Sequence, residues 1–212
     1  MPRSRLLVAF ALVAGLGLAG CGGTSAPAGA PDVTPAPMTN LPPLPTSDPT
    51  DLQSLVLRPD EVGPGFASAT WSPPGASDTL PCGQPSLAAA FKAVPVGGAF
   101  AAGDAIRAQE SIDVFTDAAT AAAAFDALTA GYGCGESSEG RIGPAFDVTE
   151  EIGADRATLW SVDRDGDRIN VVGVLGRGSV LTVLVSATET AAADAPDPTD
   201  VARAAYAKLA AS

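Results

Sequence analysis

The chain has 212 residues and no histidine. That absence removes Ser-His-Asp and Cys-His catalysis and every imidazole-ligated metal site, leaving carboxylates, Lys, Tyr and Ser for any chemistry. Lysine is nearly as scarce, with Lys92 and Lys208 alone. Aromatic residues make up 5% of the chain, and Trp71 and Trp160 are the only tryptophans. Cysteine stops at three, Cys21, Cys82 and Cys134. They form no CxxC pair, so neither a zinc cluster nor a dithiol redox motif fits. Positive charge is short too, with 12 Lys plus Arg against 24 Asp plus Glu. The apolar run Leu6–Ala19 holds 14 residues. As a helix it would rise about 21 Å, short of the ~30 Å hydrocarbon core of a bilayer.

What is present begins with a leader. Arg3 and Arg5 precede the apolar run, and small residues follow it, an order that predicts a signal peptide over residues 1–20. Leu18-Ala19-Gly20-Cys21 resembles the lipobox of bacterial lipoproteins. That resemblance implies a diacylglycerol on the sulfur of Cys21, cleavage before it, and acylation of the new amino group. Two or more acyl chains give stable anchoring where one is marginal. The expected location is therefore the cell membrane, lipid-anchored on its extracytoplasmic face. Residues 21–50 read as a tether, with eight prolines among Ala, Gly, Ser and Thr in residues 22–50. Those 29 residues span about 30 Å as a coil and up to about 90 Å as a polyproline-like rod.

Without residues 1–20, which hold two arginines and no acid, ten cations face 24 anions, a net charge of −14. Such acidity excludes nucleic acid as a partner and disfavours direct contact with anionic lipid. Cysteines 82 and 134, left over in an exported chain whose third cysteine is lipidated, are expected to form a disulfide.

Residues 51–212 are long enough for one domain with a real core. Short helices are predicted at Asp51–Val56 and from Pro59, and a strand over Phe66–Trp71. Ser86 caps a helix through Lys92. Residues 105–115 alternate as a half-buried strand, with Ile106, Ala108, Ile112 and Val114 on one face and Arg107, Gln109, Ser111 and Asp113 on the other. Glu110 breaks the apolar face; a functional burial is one reading, and a loosened strand end or a slipped register is the preferred one. Thr116 is the expected cap of an alanine-rich helix ending at Gly131 or Gly133. Period-two segments then predict strands over 146–152, 156–162, 168–175 and 180–186, and a last helix opens at Pro198. The fold class is α+β, a central antiparallel sheet of about five or six strands flanked by helices, with one disulfide.

Three motifs look chemical and fail. Asp163, Asp165 and Asp167 start like a calcium loop, but Gly166 falls in the wrong place and the distant glutamate is missing. A hairpin turn explains them. The glycine-rich run from Gly173 to Gly178 leads into a strand, so no helix N-terminus follows to receive phosphate. Glu150 and Glu151, read as strand neighbours, point to opposite faces. Trp71 and Trp160 remain candidates to line a binding groove, with core packing as the competing reading. No catalytic residue, metal ligand or cofactor is expected.

The tether, LVLRPDEVG, the strand ending in Trp71, Cys82 before a helix, ESIDVF followed by TDAATAAAAFDAL, Cys134 and the closing hairpins together resemble the PknH-like extracellular sensor domains. Those domains occur on lipoproteins and kinases of high-GC Gram-positive, mycobacterial-type bacteria. The resemblance spans about residues 50–210, and the order of elements also suits PsbP-like lipoproteins of the same bacteria. It implies an α+β fold with a cleft and a role in binding an extracellular ligand. The chain offers one bridge where the sensor family's founding pattern has two. The expected function is a tethered binding or sensor module for an envelope ligand. The alternative is an adaptor docking on another envelope protein through a flat apolar patch. An enzyme is the least favoured class, because it would require clustered carboxylates or a perturbed lysine in a pocket.

Overall fold

Asp165 and Gly166 have φ of 51° and 87°, and Arg177 and Gly178 have φ of 56° and 69°. Two consecutive left-handed residues make a type I′ turn, whose twist matches that of the strands it joins. These turns connect β7 (Arg156–Arg164), β8 (Asp167–Gly176) and β9 (Ser179–Thr188) into an antiparallel meander. The aspartates of the false calcium loop thus form a hairpin, and Arg168 holds Asp163 at 2.7 Å across it.

The computed structural model describes residue 44 and residues 48–75, 77–188 and 195–212, all within one compact unit. The predicted signal peptide, the Cys21 lipidation site and most of the tether lie outside the described residues. Upstream of the meander run β1 (Phe66–Ala69), β2 (Val94–Ala102) and β3 (Ala105–Val114). β4 (Glu136–Ser137), β5 (Gly140–Ile142) and β6 (Phe146–Asp147) are short. The sheet order is β1-β2-β3-β9-β8-β7-β5-β4, with β6 also paired to β7. Every pairing is antiparallel.

The α+β class and the single bridge are as expected, but the sheet has nine strands rather than five or six. The strand hidden in the sequence is β2, whose VPVGGAFAA carries a proline and two glycines. Pro95 is tolerated because β1 pairs only with Ala99–Ala102 and leaves the rest of that edge open.

Helices cover both faces of the sheet. On one lie α1 (Pro49–Gln53), α2 (Pro59–Val62), α5 (Thr149–Ile152) and α6 (Pro198–Ala210). Their core includes Leu52, Val56, Phe100, Ile112, Val172 and Tyr206. On the other lie α3 (Leu87–Phe91) and α4 (Ala118–Gly131), over Phe125, Leu128, Trp160 and Val171.

Two expectations need correction. The cap of α4 is Asp117, not Thr116, because the longer carboxylate reaches Thr120 N at 2.8 Å. Residues 146–152 are not one strand. Asp147 Oδ1 accepts from Thr149 N at 2.9 Å and turns the chain into α5, so Glu150 and Glu151 share a helical first turn. The glycine-rich run has a packing cause. A Cβ on Gly173 would lie 2.7 Å from Leu128 of α4, and one on Gly176 would lie 2.4 Å from the Tyr206 hydroxyl of α6.

Candidate functional site

Alternation along β3 decides what each of its side chains meets. Ala108, Glu110 and Ile112 face the α1–α6 layer, and Ser111 and Asp113 face the α3–α4 layer. Asp113 is 4% exposed. Its Oδ2 accepts from Ser111 Oγ at 3.4 Å, a long contact, and its Oδ1 has no partner. Burial pushes its carboxyl up to about 6, opposed by the Ser111 hydrogen bond.

Asp113 lines a cavity of about 300 Å³. The floor comes from β3 and β9, where Ser111 and Thr182 are register partners. One wall is Leu128 and Tyr132 at the end of α4, and the other is Leu80 and Leu87. Cys82 and Cys134 are bridged, fastening the second wall to the first. Cys82 N also donates to Gly131 O at 3.0 Å, and Leu80 presses so close to Gly131 that a Cβ there would lie 2.4 Å from it. Tyr132 stacks on Trp160 with ring centroids 5.2 Å apart. Burial pushes the Tyr132 phenol up to about 12, so it stays neutral. Asp78 stands exposed at the mouth, where it accepts from Gly75 N at 2.8 Å. Among the described residues, no lysine or arginine lines the cavity.

Two larger cavities are chemically quieter. A groove of about 590 Å³ runs between the α2–β1 connection and α6. Its carboxylates have partners in the fold: Asp197 caps α6, Glu61 holds Lys208 and Asp200 holds Arg203. The other, about 370 Å³, lies against Tyr132, Trp160, Ile142 and Pro144, and among the described residues no charged side chain lines it.

The structure separates the two tryptophans. Trp160 is 1% exposed in the core under α4 and edges the 370 Å³ cavity. Trp71 is half-buried with its ring over Gly97, where a Cβ would meet it at 2.6 Å. Gly97 is the register partner of Ser111, so Trp71 stands beside the Asp113 cavity without lining it.

Glu110 corrects the sequence reading. The strand end is not loosened and the register is not slipped. The carboxylate is 1% exposed, with Oε2 accepting from Leu57 N at 2.8 Å and Oε1 without a partner. Burial pushes it up to about 7, opposed first by the Leu57 bond and then by the charge of Lys208. Lys208 Nζ itself donates to Val56 O at 2.8 Å and Glu61 Oε2 at 2.9 Å. Glu110 thus holds the α1–α2 segment on the face away from the Asp113 cavity. Asp113 and Ser111 were missed as site residues because their own strand reads as having a polar, solvated face. The signal that would have found them is the alanine-rich helix directly following, which must pack somewhere on that face.

No family model and no curated protein matches this chain. Among solved structures, it is similar to the extracellular domain of PknH from Mycobacterium tuberculosis. The two share 11% sequence identity with a TM-score of 0.45, over 74% of this chain and 93% of that chain.

Proposed function

We propose that this protein is a lipid-anchored, extracytoplasmic module that binds a small ligand, without turnover, in the cavity between α3–α4 and β3–β9. One observation carries the reading: a buried carboxylate, Asp113, with an unpartnered oxygen, in the floor of an otherwise largely apolar cavity. A few placed polar groups among apolar walls are what small-molecule sites share. The disulfide that fastens the cavity wall suits an oxidising compartment. Among the described residues, the exposed large hydrophobic side chains are Val94, Ile106 and Phe146, on three different strands. A contiguous apolar patch would favour the adaptor reading instead.

The test uses the mature chain carrying Cys21→Ala, exported by a high-GC Gram-positive host and weighed by native mass spectrometry. A discrete added mass that disappears on denaturation is the expected result. A bare mass shifts the reading to the adaptor. In the same host, Cys21→Ala moves the protein from the membrane to the soluble fraction, and persistent tight retention overturns the anchor.

A further inference from the structure

Resting on that reading of the cavity, we infer that its ligand is an organic cation: a protonated amine on a compact apolar body. The first ground is the unmet bonding capacity of Asp113. An ionised carboxylate offers about four acceptor positions, and here one is used, at 3.4 Å, while Oδ1 has no partner. A buried charge without a counter-charge is costly, and a charge-assisted hydrogen bond is about twice as strong as a neutral one.

The second ground is independent of Asp113's own bonding. Among the described residues no lysine or arginine lines the cavity, and a second carboxylate, Asp78, stands at its mouth. The chain beyond residue 20 carries −14. An anionic ligand would meet two carboxylates with nothing to offset them, whereas a cation is drawn inward.

The remaining walls set the body of the ligand. Leu80, Leu87, Leu128 and Leu184 offer apolar surface, and Tyr132 adds an aromatic ring to the lining. The volume of about 300 Å³ equals that of roughly ten waters, room for a ligand of about ten non-hydrogen atoms. Cation binding also competes with protons for Asp113. The titratable groups around it are Asp78 on the mouth segment and Tyr132 at the end of α4, with Thr182 and Leu184 contributing none from β9.

The experiment is calorimetric titration of the unlipidated mature protein, in near-physiological salt, with 3-phenylpropylamine, 3-phenylpropanol and 3-phenylpropionate. They share one body and differ in head-group charge. The amine is expected to bind at least about tenfold more tightly than the alcohol, and the carboxylate not measurably. Asp113→Asn is expected to erase the amine's advantage and leave the alcohol unchanged, with the urea midpoint showing that the variant is folded. Should that variant not fold, the parent suffices, because amine affinity must fall as the pH drops from about 8 to about 5 and Asp113 takes up its proton.

Alcohol or carboxylate binding as tightly as the amine, or an amine affinity indifferent to both Asp113→Asn and pH, overturns the cation while leaving a binding cavity. Failure of all three probes, with a neutral or anionic molecule retained in native mass spectra, overturns it likewise. Failure of all three with a bare native mass removes the binding reading itself.

Discussion

Glu110 and Asp113 lie three residues apart on β3 and therefore project through opposite faces of the sheet into separate surroundings. Neither surrounding supplies a counter-charge in direct contact, and each leaves one oxygen unbonded. Their energetic consequence has a definite sign. The folded carboxyl of Glu110 sits near 7, against 4.5 for the free group. The native state therefore holds the extra proton between those values, and stability falls as the pH rises through that window. The full penalty stands above about pH 7 and amounts to on the order of 3 kcal/mol. Glu110→Gln removes the charge and can keep the bond from Leu57 N. Its stability relative to the parent, read from urea midpoints, should improve by about that amount between pH 4.5 and pH 8. A gap that does not change with pH would show that the charge of Glu110 is not what destabilises the native state. This residue was legible in the sequence as the exception to an apolar stripe. Asp113 was not, since an aspartate on the polar side of an alternating strand looks solvated until a helix is laid over it.

At the scale of elements, legibility followed local chemistry. The meander was readable because alternation, an Asp-Gly pair and an Arg-Gly pair all state the same hairpins. β2 was not, since its strand character comes from pairing with β3 along its whole length rather than from its own residues. β6 and α5 share a segment that reads as one strand until Asp147 turns it. The cavity wall follows the same rule, because residues 72–75 and 77–86 contain little regular structure of their own and are held by Cys82 and Leu80 against the end of α4. Replacing both Cys82 and Cys134 by serine should cost about 4 kcal/mol by the loop-entropy argument. Any retained native mass should be lost with it even where circular dichroism shows the sheet intact. Full stability and unchanged ligand retention in the double variant would mean that the wall stands without its bridge.

For the whole molecule, two sets of carboxyls pull the pH profile in opposite directions. Asp113 and Glu110 are raised by burial and relieve the native state as the pH falls. Glu61 is lowered, chiefly by its hydrogen bond from Lys208, Asp163 by its hydrogen bond from Arg168, and Asp117 and Asp147 by the hydrogen bonds they accept from Thr120 and Thr149. Stability from these four is present above their free values of 3.8 to 4.5 and is lost as the pH falls through their folded values. Thermal unfolding should therefore give its highest Tm at about pH 4 to 4.5, falling on both sides. A Tm that rises steadily to pH 8 would contradict the buried-carboxylate account.

The bridge between Cys82 and Cys134 has a mechanical consequence as well. It closes 52 residues of chain across a Cα separation of 5.8 Å. Stretched between its ends, the oxidised protein therefore reaches a contour shorter than the reduced one by about 170 Å, at roughly 3.4 Å per residue. The withheld length contains α3, β2, β3 and α4. A pull on the oxidised chain can unravel what lies outside that loop, but the tension bypasses those four elements by way of two sulfur atoms.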